Sequence, residues 1–258
     1  MPVLLDDLMT PVDLRAPVRR VVSLVPSLTE AIAVSGPGLL VGATDWCSRP
    51  GDLEVTRVRG TKNPDLTAIT GLRPDLVVAN VEENREIDVR RLRAAGVPVW
   101  VTRIESIDSA FAAMSRLFED ALGLDQPEWI REAQEVWAAP AELPPLRTAV
   151  AVWRDPWMLV GRDTYAGDLV GRLGLVHVHR AEASRYPSVD LAAIDRPGID
   201  LVLLPDEPYP FSTDDGPEAF SSSTPVLLGG RHLTWYGPSM VEARLRIAEA
   251  VRRSTAAR

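Results

Sequence analysis

The chain has 258 residues, 46% of them hydrophobic and 25% charged, with 36 acidic against 28 basic side chains and a formal net charge of −8. That length and mixture suit one large packed domain or two smaller ones and exclude a disordered chain. The acidic balance, with no clustered basic face, excludes a nucleic-acid partner, because phosphate binding needs concentrated Lys and Arg.

The opening residues, MPVLLDDLMTPVDL, carry three aspartates and lack the basic and apolar regions of a secretory signal. No apolar run is long enough to cross a bilayer. A cytoplasmic protein without membrane insertion is therefore expected. Residues 20–26, RVVSLVP, read as a strand. Ser27-Leu28-Thr29-Glu30 has capping-box spacing and predicts a helix over 28–35, stopped by Gly36-Pro37-Gly38. LLVGATDW (39–46) is a strand followed by a Pro/Gly-rich loop that contains Cys47. As the only cysteine, Cys47 can form no internal disulfide and reads as a structural thiol. DLTAITGL (65–72) is a short helix, DLVVAN (75–80) a strand, 85–95 an amphipathic helix closed by Gly96, and VPVWVT (97–102) a strand. This β-α alternation with apolar strands argues for a parallel sheet covered by helices.

Residues 106–122 place Ile107, Phe111, Met114, Leu117, Phe118 and Leu122 at helical spacing. PEWIREAQEVWA (127–138) is a second helix, with Pro127 in its first turn. The alternation then restarts. RTAVAVW (147–153) and WMLVG (157–161) are strands, 164–173 a helix, LVHVH (175–179) an extended stretch, VDLAAI (189–194) a helical turn, DLVLLPDE (200–207) and PVLLGG (225–230) strands. Residues 239–254 form the final helix, whose basic end, RLRIAEAVRRSTAAR, reads as solvated. The fold class is α/β: two Rossmann-like lobes, 1–104 and 146–258, joined by a helical linker over 105–145. LRPDLVVAN and RPGIDLVLLPDE share one plan, a Pro-containing loop leading into Asp-Leu-Val.

In open α/β sheets, ligands sit beyond the carboxyl ends of the strands. Here those ends carry Asp45-Trp46, Asn80, Trp153-Arg154-Asp155-Pro156-Trp157, Asp206-Glu207 and, near the end, Trp235-Tyr236. Aromatics with a few charges suit a flat, amphipathic ligand. Nucleotide-binding, nucleophile-elbow and zinc-protease motifs are absent, so no catalytic residue is assigned. His177 and His179 share a face if 175–179 is a strand, but a zinc site takes three or four ligands; solvated edge histidines are the plainer reading, and no metal site is assigned. WRDPW reads either as a hairpin whose indoles plug a core or as a cleft rim. Pro156 is expected to hold Asp155 extended. The rim is the preferred reading, with Trp153 or Trp157 facing the other lobe and Arg154 and Asp155 in water at the mouth.

RVVSLVPSLTEAI, then RGTKNPDLTAITGLRPDLVVAN, then WYG resemble the helical-backbone (class III) periplasmic solute-binding proteins of ABC importers, above all their vitamin B12-binding members, over about residues 20–250. The resemblance implies a non-enzymatic receptor that holds a corrinoid or an iron chelate between its lobes, with no covalent cofactor. It implies ligand contacts at Trp46, Asn80, Trp153, Trp157, Trp235 and Tyr236. It also implies that Glu86, and more weakly Glu207, dock an ABC permease. Two other classes stay open. One is a cytoplasmic enzyme or sensor for a small polar ligand, an enzyme needing two of Asp45, Asp155, Asp206 and Glu207 to converge with split pKa values. The other is an interaction module that docks through Glu86 and Glu207.

Overall fold

A computed structural model describes residues 4–14 and 17–256. The first three residues of the opening segment and the last two of the basic tail lie outside the described residues. The contacts divide the chain into two compact units. Unit 1 comprises Met1–Ile104, Ser109–Arg131 and Tyr236–Pro238; unit 2 comprises Glu105–Asp108, Glu132–Trp235 and Ser239–Arg258.

Among the described residues, the strands of unit 1 are β1 (Leu4–Leu5), β2 (Pro11–Val12), β3 (Val21–Ser23), β4 (Leu40–Ala43), β5 (Thr56–Arg57), β6 (Arg59–Gly60), β7 (Asn63–Pro64), β8 (Leu76–Asn80) and β9 (Val99–Thr102). Its helices α1 (Pro26–Ser35), α2 (Leu66–Gly71) and α3 (Glu86–Ala94) alternate with the strands of the main sheet. That sheet runs β5-β4-β3-β8-β9, and every pairing in it is parallel. β3, β8 and β9 are buried along their whole lengths, as strands covered on both faces must be. Val22, Leu24, Val77, Ala79, Leu92, Val99 and Val101 form the core.

The capping box at Ser27 does not form. The helix starts two residues earlier, with Val25 as N-cap and Pro26 in the first turn, and no side chain caps it. Proline's fixed φ is already helical and its missing N–H is no loss there. Ser27 thus lies inside the helix. α2 is capped instead by Asp65, whose Oδ1 accepts the Ala68 N–H at 2.9 Å.

The opening segment is part of unit 1. β1 and β2 pair antiparallel, and the buried Asp6 carboxylate accepts the N–H groups of Leu8 and Thr10 at 3.0 and 2.9 Å and the Arg93 guanidinium at 2.6 Å. The Asp7 N–H donates to Val101 O at 3.1 Å, so this segment covers the open edge of β9.

The single helix expected over 106–122 is α4 (Ile107–Arg116) followed by a π-turn, Leu117–Ala121. α5 spans Glu128–Ala138. The segment expected as a linker is thus shared between the units, and its indoles anchor it. Trp129 Nε1 donates to Ser35 Oγ in unit 1 at 3.0 Å, and Trp137 Nε1 donates to Met240 O in unit 2 at 2.9 Å.

Unit 2 contains β10 (Arg147–Trp153), β11 (Trp157–Leu159), β12 (Val176–His177), β13 (Ser188–Val189), β14 (Leu201–Pro205) and β15 (Thr224–Leu228), with α6 (Tyr165–Arg172), α7 (Gly230–Thr234) and α8 (Met240–Ala256). Its sheet runs β13-β11-β10-β14-β15, with β12 also paired to β10. The sheet is mixed: β10 is parallel to β12 and β14 but antiparallel to β11. The three residues between Trp153 and Trp157 can close a hairpin, whereas a parallel return needs a crossover of a dozen residues or more.

The motif shared by the two halves has one physical cause. In unit 1, Asp75 Oδ2 accepts the N–H groups of Arg19 and Arg20, just before β3, at 2.8 and 2.9 Å. In unit 2, Asp200 Oδ2 accepts the N–H of Arg147, at the start of β10, at 2.6 Å. In each unit the aspartate before one strand pins the start of its parallel neighbour.

Asp195 performs a related task. It accepts the N–H groups of Ser221, Ser222 and Ser223 at 3.0, 2.8 and 2.9 Å. Burial opposes its ionisation, but these donors and the Ser221 hydroxyl outweigh it and hold the carboxyl at about 2. A depressed carboxylate stabilises the fold above its unfolded pKa of about 3.9, and that contribution fades as pH falls from about 4 to about 2. Asp195→Ala is expected to cost about 1–3 kcal/mol at pH 7, the penalty for donors left without an acceptor. Urea unfolding at pH 7 and pH 3 tests this: the gap between variant and parent should narrow at the lower pH.

Candidate functional site

The five strands of the unit 1 sheet follow the order 3-2-1-4-5 when counted along the chain, which puts the reversal of strand order beside β3, next to β8. Ligands in such sheets bind beyond the carboxyl ends at that reversal. Asn80 ends β8 there, and it is 1% exposed. Its Nδ2 donates to Thr102 Oγ1 at 3.0 Å and its Oδ1 accepts the Glu82 N–H at 2.8 Å. Asn84 Oδ1 accepts the Asn80 N–H, and Asn84 Nδ2 donates to Leu24 O and Thr61 O at 3.2 and 3.0 Å. The Asn80 amide is therefore committed to shaping the loop, and sequence reasoning missed Asn84, which ties three strand-end loops together.

Trp46 lies three residues beyond β4 and is 68% exposed. The β6–β7 hairpin lies against it: a side chain built onto Gly60 would come within 3.3 Å of the Trp46 Nε1. Cys47, next in sequence, is fully buried, with its Sγ 3.0 Å from Thr29 Oγ1 and 3.1 Å from Thr44 Oγ1. Burial pushes its thiol up, so it is an inert packing residue.

In unit 2, β10 has neighbours on both sides, and Trp153 ends it. The two tryptophans of WRDPW part company. Trp153 is 43% exposed and meets Tyr209 edge-on at 5.4 Å; Trp157 is 7% exposed and stacks on Phe211 at 5.8 Å with the rings 8° apart. Trp157 is thus packed in the unit 2 core, as the core reading expects, while Trp153 keeps open ring surface. Two details differ from expectation. Asp155 is not extended but left-handed, φ 57°. Arg154 is not at a solvated mouth: its side chain is 22% exposed, whereas that of Asp155 is 89% exposed. The Arg154 guanidinium is paired with Asp215 and Glu218 and lies 5.6 Å from the Trp157 ring centroid. Tyr209 donates its hydroxyl to Asp215 at 2.6 Å. That bond holds the Tyr209 proton more tightly than usual and keeps Asp215 below the ordinary carboxylate range. Asp215 thus ties the 206–218 segment into the WRDPW network.

Trp235 and Tyr236 are both buried, at the end of unit 2's α7 segment and within unit 1 respectively. Of the expected ligand contacts, Trp46 and Trp153 present open ring surface. Glu86 is exposed at the start of α3, and Glu207 is half-buried just beyond β14. Of the carboxylates considered for catalysis, Asp45 belongs to unit 1 and Asp155, Asp206 and Glu207 to unit 2; Asp206 Oδ1 accepts the Gly230 N–H at 2.6 Å. His177 and His179 are buried rather than solvated, and desolvation lowers both. His177 Nε2 lies 3.0 Å from Val160 O. Among the described residues, no group of three or more His, Cys, Asp or Glu side chains could hold a metal ion, and no helix is long and apolar enough to cross a membrane.

No known family profile matches the chain. Over 112 residues, 40% of each chain, it is 32% identical to the vitamin B12-binding protein of Vibrio parahaemolyticus. Over 189 residues it is 21% identical to the vitamin B12-binding protein of Vibrio cholerae, covering 69% of this chain and 67% of that one. The chain therefore spans less than half of one of these relatives and about two thirds of the other. Among solved structures, the periplasmic vitamin B12-binding protein of Vibrio cholerae superposes with a TM-score of 0.74 at 17% identity, over 93% of this chain and 98% of that one. The periplasmic heme-binding protein of Roseiflexus sp. RS-1 gives a TM-score of 0.75 at 20% identity, over 92% and 99%. The chain thus has the α/β fold of the periplasmic solute-binding proteins and resembles, in sequence as well as fold, the vitamin B12-binding ones.

Proposed function

We propose that the protein is a non-enzymatic receptor for a corrinoid or comparable metal chelate, held without a covalent bond. One observation carries this reading. In a chain with this fold, two exposed indoles stand at the carboxyl ends of sheet strands, one in each unit: Trp46 three residues beyond β4 and Trp153 as the last residue of β10. An open aromatic face offers stacking and apolar area to a flat macrocycle. A metal already held by its own chelator asks the protein for no ligand cage. The buried members of the expected set, Asn80, Trp157, Trp235 and Tyr236, act in this reading by holding loops and rims in place. Glu86 and Glu207 are proposed to dock an ABC permease. In this reading the protein works outside the cytoplasm, like the solved neighbours named periplasmic, and not inside it as the opening residues suggest.

Isothermal titration calorimetry with cyanocobalamin tests the proposal, with heme and a ferric siderophore as parallel ligands. Calorimetry avoids confusing lost affinity with a lost fluorophore. Saturable binding that weakens about 10-fold or more in Trp46→Ala or Trp153→Ala is expected, since a stacked ring contributes on the order of 1 kcal/mol beyond its buried area. Absence of saturation with all three ligands overturns the reading.

A further inference from the structure

Resting on the receptor reading, we propose that Lys62 and Glu83 are a recognition pair for carboxamide groups on the ligand's rim. Unit 1 then favours a flat ligand with neutral amide substituents over one that carries carboxylates. Both residues belong to the strand-end surface on which Trp46 stands open. The Asp45 N–H donates to Arg59 O at 2.8 Å, which lays the β6–β7 hairpin beside the indole. Gly60 permits that approach, since a Cβ there would come within 3.3 Å of the Trp46 Nε1. The turn of the hairpin is tied to the loop after β8 by two bonds. Asn84 Nδ2 donates to Thr61 O at 3.0 Å, and the Lys62 ammonium donates to Glu82 O. The Glu82 N–H is held in turn by Asn80 Oδ1 at 2.8 Å. The backbone that carries both residues is therefore fixed beside an exposed ring.

Their side chains still have hydrogen-bonding capacity to spare. Arg85, in the same loop, is paired with Asp88 at 2.8 Å. Glu83 is half-buried, and among the described residues no donor bonds its carboxyl; burial pushes it up by more than the Lys62 charge pulls it down. An acid drawn partly out of water without a donor costs stability, and a donor on a ligand offsets that cost. Lys62 is exposed, and its ammonium has three N–H groups, of which the bond to Glu82 O uses one. An acceptor close enough to feel a neighbouring donor's charge matches both ends of a carboxamide. The amide N–H donates to Glu83 and the amide oxygen accepts from Lys62. A carboxylate in the same place satisfies Lys62 but meets Glu83 as a like charge, and an apolar substituent satisfies neither.

The probes are cyanocobalamin, whose rim carries amides, and its monocarboxylic acids, each with one rim amide hydrolysed. Affinity is measured by calorimetry and stability by urea unfolding. Glu83→Leu is expected to weaken cyanocobalamin about fivefold or more without lowering the unfolding midpoint, because it removes no hydrogen bond of the fold; Lys62→Met should weaken it by a similar factor. At least one of the monoacids should bind the parent about tenfold more weakly than cyanocobalamin, and that gap should close in Glu83→Leu. A midpoint that falls together with affinity in Glu83→Leu makes Glu83 a structural residue and overturns the proposal. Unchanged affinity in both variants, equal binding of every monoacid, or a gap that persists in Glu83→Leu overturns it as well. So does saturation by heme without saturation by cyanocobalamin. All of these leave the receptor reading standing as long as Trp46→Ala weakens the ligand that binds. Failure of cyanocobalamin, heme and the ferric siderophore alike removes the receptor reading itself, and this proposal with it.

Discussion

Trp157→Ala is expected to lower the unfolding free energy of unit 2 by about 3–5 kcal/mol, the usual cost of emptying a buried indole site. Trp153→Ala, four residues away, is expected to cost under about 1.5 kcal/mol, because its ring keeps much of its contact with water. Trp157 packs between Phe211, at 5.8 Å, and Phe220, at 5.3 Å, with the Arg154 guanidinium against it. Ala149, Ala151, Leu159 and Val202 belong to the same cluster; these small and short residues cannot reach across to fill the space. Urea unfolding followed by circular dichroism measures both variants, and a shift in midpoint at unchanged slope reports a change in stability alone. The reverse ranking would make Trp153 the core plug and Trp157 the rim. It would also remove the exposed indole on which the receptor reading depends in unit 2.

The second large effect is expected at Arg244. This side chain of α8 is almost wholly buried and closes the carboxyl end of α5, which stops at Ala138. Its Nη1 donates to Val136 O at 3.2 Å and to Ala139 O at 2.9 Å, its Nη2 bonds Pro140 O, and its Nε reaches Glu142 Oε1 at 3.3 Å. The last carbonyls of a helix have no partner within it, and a cation there also meets the negative end of the helix dipole. Arg244→Met keeps the apolar stem but strands these acceptors. The expected cost is about 3–5 kcal/mol, the range for breaking a buried charged network by removing one partner. Arg244→Lys should recover part of the loss, because one ammonium cannot serve three carbonyls and a carboxylate in a planar fork. A midpoint unchanged in Arg244→Met would show that water replaces the guanidinium at no cost and that the cap is incidental.

Much of the fold is legible in the sequence because its signals are local. Apolar runs that cannot alternate in polarity become strands buried on both faces, as at Leu76–Asn80. Helix ends are marked by glycines that take left-handed φ, such as Gly96 at 77° and Gly123 at 66°. Local signals mislead where two of them compete over a few residues. At the start of α1, the capping spacing from Ser27 and the fixed φ of Pro26 name different first residues, and the proline sets the start. At Asp155, the preference of a residue before proline for extended backbone gives way to the tight closure of the hairpin.

The candidate site is legible in position and only partly in content. Sequence places tryptophans at strand ends but cannot distinguish an open ring from a packed one. Of the seven tryptophans, Trp100, Trp129, Trp137, Trp157 and Trp235 are buried, while Trp46 and Trp153 are exposed. The partners that decide this come from far along the chain: Phe211 and Phe220 for Trp157, Ser35 for Trp129, Met240 for Trp137. The same holds for Arg154, whose charge looks free within WRDPW and is taken by Asp215 and Glu218, sixty-one and sixty-four residues away.

By itself, then, the sequence determined the α/β alternation, the strand ends where a ligand would be met and the relatives it resembles. These follow from hydrophobic period, turn residues and short motifs, which act within a few residues of one another. Only the tertiary structure decided which indoles face water, which charges are already neutralised and which backbone groups Asp75, Asp195 and Asp200 hold. Burial and pairing are properties of neighbours brought together by packing, and a local stretch of chain carries no record of who those neighbours will be.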